Sequence, residues 1–330
     1  MVKGARAFVA SASVLALGVS ALCGPVLSGP ALAATPNSIT PNSVTPNSAT
    51  PNVATADAGA APSVLSVPVR AVATSDGNVG YRELGSGPPL LLIMGLGGTM
   101  DNWSPSFVDA LAAEHKVVVF DNAGVGKTAA ISSPLTITGM ADQTSALISA
   151  LHLGRSSVLG WSMGGMVAQA LAVLHPSQVS RLVLAATQAG TGKAVPPSAA
   201  AAAAVNSDVP TVELSVLFPP SASSAAQLYG FSVLRYPEFY TVPAKVKVEQ
   251  NTAVDGWFAG SEAAGRKVGS LKVPTLVADG TEDALDPVSN DKQLAGLIKG
   301  AQLALYSGAG HAFWFQDESA FVARLGTFLG

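Results

Sequence analysis

Ser162 stands in the run Gly160-Trp161-Ser162-Met163-Gly164-Gly165, with a glycine two places to either side. A serine hydroxyl is a weak nucleophile until an imidazole can take its proton and an acid can steady that imidazole. Candidates for both partners lie downstream, acid first and then base. Glu282, Asp283 and Asp286 share the stretch from Asp279 to Pro287, and His311 sits in Ser307-Gly308-Ala309-Gly310-His311-Ala312-Phe313. Such a set could attack an electrophilic carbonyl and hold the product covalently on the serine.

That chemistry requires elements that bring three distant segments together. Ser157-Val158-Leu159 reads as a short buried strand, and Met166–Leu174 as a buried helix. Gly160 and Gly164 flank the serine where side chains would crowd a tight strand-to-helix turn, the nucleophile elbow. In such a turn the backbone N–H of Met163 can face an oxyanion. Val273–Ala278 and Gln302–Tyr306 read as further strands, feeding the acid loop and the His311 loop. Leu90–Ile93, Val117–Phe120 and Arg181–Leu184 complete a parallel set, with helices between them. Val67–Val72 and Val79–Arg82 suggest an antiparallel N-terminal hairpin. The expected fold class is α/β, a doubly wound and mostly parallel sheet, whose sites lie beyond the carboxyl ends of the strands.

Taken jointly, the elbow Gly160–Gly164, the loop Gly280-x-x-Asp283 and the pair Gly310-His311 resemble the α/β-hydrolase-fold serine hydrolases over about residues 65–330. The resemblance implies an α/β-hydrolase fold with a helical cap at about 190–268. It also implies a triad of Ser162, Asp283 and His311. Asp283 is selected because the family carries its acid three residues after the loop glycine, with Glu282 and Asp286 as near rivals. An acid after the preceding strand is ruled out, since Ala185–Gly190 contains no carboxylate. The oxyanion donors implied are the N–H groups of Met163 and Leu96. Met94 stands where many members have histidine, and Ala123 where many have arginine. Trp103, Trp161, Trp257 and Phe313 are the expected substrate-pocket residues. The implied reaction is cleavage of a carboxylic ester or lactone of an apolar small molecule. The alternatives are cofactor-free perhydrolase or haloperoxidase-like chemistry, and a non-catalytic binder of an apolar ligand. Epoxide hydrolase and haloalkane dehalogenase chemistry is disfavoured, because Ser162 occupies the place of their nucleophilic aspartate.

Other strings fail on inspection. Gly124-x-Gly126-Lys127-Thr128 is no phosphate loop, since the first glycine of that pattern falls on Asp121. Gly95-x-Gly97 lacks a dinucleotide fingerprint's third glycine, which falls on Met100. No cofactor is expected. No metal is expected either, because the histidines lack ligand spacing and the one cysteine, Cys23, is near the N-terminus. His115, His152 and His175 read as exposed residues at helix ends.

At the N-terminus, Lys3 and Arg6 precede an apolar run from Ala7 to Leu27, and Ala31-Leu32-Ala33 fits a cleavage site. Residues 1–33 are therefore expected to be a secretory signal, and the protein to be secreted or associated with the cell envelope. Leu22 before Cys23 speaks against a lipoprotein. Residues 34–62 carry the unit Thr-Pro-Asn-Ser, whose recurring prolines block helix and sheet; a disordered spacer is expected. The hydrolase domain is expected at 63–330. The formal charge is −3, and charged residues are only 12% of the chain, with no basic cluster. Nucleic-acid partners are unsupported, and no membrane span is expected in the mature form. The oligomeric state is left open.

Overall fold

A computed structural model describes residues 62–330. The expected signal peptide, and all of the expected spacer except Pro62, lie outside the described residues.

The chain opens with an antiparallel hairpin, β1 (Arg70–Thr74) and β2 (Gly77–Leu84). It continues through β3 (Pro89–Ile93), α1 (Pro105–Ala112), β4 (Lys116–Phe120), α2 (Ile137–Ala150), β5 (Ser156–Trp161), α3 (Met163–Leu174) and β6 (Val179–Ala185). Five helices follow: α4 (Ala199–Val205), α5 (Pro210–Leu217), α6 (Ser223–Val233), α7 (Ala244–Phe258) and α8 (Ala263–Arg266). The end of the chain adds β7 (Thr275–Gly280), α9 (Val288–Leu297), β8 (Gln302–Tyr306), α10 (Phe313–Gln316) and α11 (Glu318–Leu329). The eight strands form one sheet in the order β1-β2-β4-β3-β5-β6-β7-β8. From β4 to β8 across the sheet every pairing is parallel, and β2 joins β4 antiparallel.

Parallel strands covered by helices on both faces need apolar residues at successive positions. Leu90, Leu91, Leu92 and Ile93 are all fully buried. Because alternate side chains leave opposite faces, Leu90 and Leu92 join one core, while Leu91 and Ile93 join the other. Val117 and Val119 against Val118 and Phe120 divide in the same way. The edge strand β8 alternates instead, with Leu303 and Leu305 partly in solvent.

Local chemistry sets the helix starts. Ser104 Oγ accepts from the N–H of Phe107, ahead of Pro105 at the first position of α1. Ser198 Oγ likewise accepts from Ala201, which starts the alanine-rich α4. Helices α4 to α8 fill the stretch between β6 and β7, and this insertion is tied by polar bonds to the loops that follow the strands. Tyr229 and Tyr236 donate to the carbonyls of Asn102 and Trp103, both at 2.9 Å. Tyr240 donates to Asp121, and Trp257 Nε1 to the Gln188 carbonyl. Among the described residues no helix is long and apolar enough to cross a membrane.

Two histidines depart from expectation. His115 is buried, because the turn from α1 into β4 packs under Gly85, where a Cβ would stand 2.3 Å from the His115 carbonyl oxygen. His152 is exposed, and His175 is half-buried and pairs with Asp142 at 2.7 Å.

Candidate active site

Strand β5 delivers the chain to Ser162, and α3 begins one residue later. Ser162 has φ 56° and ψ −123°, a backbone state that non-glycine residues adopt only at a cost of about 1–3 kcal/mol. Its surroundings enforce that state. The Ser162 N–H donates to Ala185 O at 2.9 Å, and Ser162 O accepts from Thr187 Oγ1 and Gly165 N, each at 2.8 Å. Side chains could not replace the flanking glycines here. A Cβ at Gly160 would lie 2.2 Å from Gly164 O, and one at Gly164 would lie 2.1 Å from Ile93 O. Helix packing on the neighbouring strand is thus close enough to require glycine at both places.

His311 follows β8 in a loop that two backbone bonds fasten to the acid loop: Thr281 N to Tyr306 O, and Glu282 N to Ala309 O. Its Nδ1 lies 2.6 Å from Asp283 Oδ2, and the Asp283 carboxylate is fully buried. With Asp283 accepting there, the Nδ1 proton is in place and Nε2 is left with its lone pair. Asp283 Oδ1 accepts from the N–H groups of Leu285 and Asp286, at 2.6 and 2.9 Å, which fixes the carboxylate plane. Trp161 Nε1 donates to the His311 carbonyl at 2.9 Å, and the two rings lie 5.4 Å apart. The residue before the serine therefore holds the imidazole loop. Ser162 Oγ and His311 Nε2 share no hydrogen bond in this structure. Such bonds commonly tighten only when substrate is present.

Of the three acids left open by the sequence, the structure pairs Asp283 with His311. Glu282 is exposed, and Asp286 is buried and accepts from Asn290 Nδ2 at 2.7 Å.

Behind Asp283 lies a cluster that the sequence reading missed. Asp279, Asp286 and Asp291 are each buried, with carboxylate oxygens within 4.8 Å of one another. Ionised together they would suit a hard cation. Burial acts the other way and favours the neutral acids. Burial, with the charge of Asp283, pushes Asp286 up to about 7. Burial, with Asp286 beside it, pushes Asp291 up to about 9. Asp279 is raised too, by burial first and by Asp283 next. Burial thus disfavours added charge around the one carboxylate that faces His311. His and Cys spacing does not reveal this group, since it contains neither residue type.

The loop after β3 lies against the serine: a Cβ on Gly95 would stand 3.2 Å from Ser162 Cβ. Among the described residues, the backbone N–H groups of Leu96 and Met163 find no acceptor, while Gly97 N donates to Gln250 Oε1 at 2.9 Å. Met94, in place of the family's histidine, is buried against Gly98 and accepts at its carbonyl from Asn122 Nδ2.

The expected pocket lining needs correction. Trp103 is fully buried against Phe107, Trp161 and Trp314, with ring centroids 5.7, 6.1 and 4.8 Å away. Phe313 is fully buried between Tyr306 and Phe321, each at 5.0 Å. Trp257 is fully buried over Gly190, away from the other three, in the opposite core. Rings so enclosed present no face to a ligand. Only Trp161, at 5% exposure, keeps any surface, beside His311. Nearness in sequence to the loops says nothing about which way a ring faces, and large apolar area favours the core.

A family model described as the alpha/beta hydrolase fold matches residues 88–318. The poly(3-hydroxyalkanoate) depolymerase of Ectopseudomonas oleovorans is 31% identical over 245 residues, 73% of this chain and 84% of that protein. A Mycobacterium tuberculosis protein named non-heme bromoperoxidase BpoC is 42% identical over 112 residues, 34% of this chain. The alignment spans 42% of that relative's own length. Among solved structures, Est816, an N-acyl homoserine lactone degrading enzyme, has a TM-score of 0.65 at 26% identity, covering 78% of this chain and 100% of that one. Sheet order, elbow and family match agree: this chain belongs to the α/β hydrolase fold family.

Proposed function

We propose that the protein is a serine hydrolase that cleaves a carboxylic ester or lactone of an apolar small molecule through an acyl-Ser162 intermediate. The observation that carries this reading is the 2.6 Å contact from His311 Nδ1 to a fully buried Asp283 carboxylate, in the loop held by the residue preceding Ser162. His311 Nε2 takes the Ser162 proton as Oγ attacks the carbonyl carbon. The oxyanion that forms meets the N–H groups of Leu96 and Met163, both without an acceptor among the described residues. The His311 proton passes to the leaving oxygen as the carbon–oxygen bond breaks. Water repeats the sequence on the acyl-serine and frees Ser162. The names of the depolymerase and lactonase relatives support an ester or lactone bond as the target.

A panel of p-nitrophenyl esters and aliphatic lactones, with intact-mass detection of an acyl adduct, tests this reading. Turnover that favours apolar acyl chains over a charged short ester, with the adduct on Ser162, is expected. Equal turnover of the charged ester removes the apolar preference, and no turnover of any ester or lactone removes the reaction.

The BpoC likeness favours one second reading, in which hydrogen peroxide replaces water in the second half and releases a peracid. Peracid formation from acetate and peroxide faster than ester hydrolysis would select it.

A further inference from the structure

Gln250 lies on α7, a helix of the insertion between β6 and β7, yet its side chain reaches the loop beside Ser162. Its Oε1 accepts from Gly97 N at 2.9 Å, and the side chain is fully buried. Gly97 has φ +73°, in the left-handed region where glycine is free to rotate, so that hydrogen bond selects one orientation of the Leu96–Gly97 peptide. Lys247, one turn earlier on α7, packs over the same residue, its Cε 3.3 Å from where a Gly97 Cβ would be. With the Gly97 N–H occupied, the Leu96 N–H, on the preceding Gly95–Leu96 peptide, still finds no acceptor among the described residues.

The other end of the amide is informative. Gln250 Nε2 is buried with no hydrogen-bond partner. A buried orphan donor costs about 1–3 kcal/mol, so the side chain is a poor choice for stability alone. An apolar residue of the same length would avoid that cost and lose only the acceptor for Gly97.

We propose that Gln250 is a positioning residue: from α7 it fixes the Leu96–Gly97 peptide, and through the Leu96 backbone the preceding Gly95–Leu96 peptide, whose N–H is the oxyanion donor. The inference rests on the serine-hydrolase reading and assigns Gln250 no direct contact with substrate. It makes the oxyanion site dependent on the docking of α7.

The test compares Gln250→Met, which keeps length and removes the acceptor, with Gln250→Glu, which keeps the acceptor. Steady-state hydrolysis of p-nitrophenyl butyrate, the rate of fluorophosphonate labelling and the thermal midpoint are measured for both. Because a small misplacement of a catalytic donor costs up to about 10²-fold, Gln250→Met is expected to lose at least about tenfold in kcat and in labelling rate, with KM within about twofold. Its thermal midpoint is expected to match or exceed wild type, and Gln250→Glu to recover most of the lost kcat. Wild-type kcat and labelling rate in Gln250→Met overturn the proposal. So does a Gln250→Met protein that unfolds or loses stability in step with activity, with no rescue by Gln250→Glu, since Gln250 would then be structural. A wild type that neither labels nor hydrolyses the ester refutes the serine-hydrolase reading instead, so the two failures are distinct.

Discussion

Asp121 offers a quantitative test of the electrostatics around the sheet's carboxyl end. It directly follows β4 and is fully buried. Its Oδ1 accepts from Met100 N at 2.9 Å, and its Oδ2 accepts from the Tyr240 hydroxyl at 2.5 Å. Burial nevertheless dominates and raises the carboxyl from 3.8 to about 6, against the pull of both donors. A raised carboxyl pKa means that the folded protein binds more protons than the unfolded chain between those two values. Stability therefore falls as pH rises from about 4 to about 6, and the loss is complete above that. Roughly two pKa units correspond to about 3 kcal/mol as an upper bound. Asp121→Asn keeps an acceptor for Met100 and does not ionise. The stability gap, variant minus wild type, should therefore widen by up to about 3 kcal/mol between about pH 4 and pH 7. Asp279, Asp286 and Asp291 titrate in both proteins and cancel in the difference. Urea unfolding of the pair across that range is the assay. A gap that stays flat or narrows as pH rises refutes the reasoning.

Asp283→Asn should leave the fold intact and lower kcat by about 10⁴-fold, as loss of the imidazole's orienting acid does, read from ester kinetics beside circular dichroism. Gly164→Ala should abolish activity, because its Cβ would stand 2.1 Å from Ile93 O and must displace either the elbow or β3; soluble but inactive or unfolded protein is the expected result. Trp257→Ala should cost about 3–5 kcal/mol in urea unfolding, since it empties a fully buried ring site over Gly190. Residues 1–33 are proposed as a cleaved signal, so N-terminal sequencing of exported protein should begin near Ala34, and a start at Met1 contradicts that.

The strands were legible because a parallel sheet buried on both faces writes itself as short apolar runs such as Leu90–Ile93. The elbow was legible for a different reason: two glycines and a serine are required wherever β5 turns this sharply into α3. Asp283 needed more than its own sequence. Glu282, Asp283 and Asp286 look alike in a loop; the resemblance selects Asp283 by its spacing from Gly280, and the fold brings that carboxylate to His311. Tertiary packing also decided what the sequence could not. Trp103 and Phe313 lie near the site loops in sequence, and Trp257 in the insertion between β6 and β7, yet all three rings are fully buried. The aspartate cluster was invisible because burial, which no local pattern of acids reveals, is what gathers its members, and Gln250 because its partner lies on a distant element. Gln250 and Gly97 are separated by 153 positions, and no local pattern connects them.

The central claim is that Ser162 is an activated nucleophile. The most direct measurement is labelling of the purified protein with a fluorophosphonate probe, beside Ser162→Ala, with peptide mapping of the adduct. The account predicts one adduct on Ser162 in the wild type and none in the variant. Equal labelling of both proteins, or no labelling of a folded wild type, would contradict it.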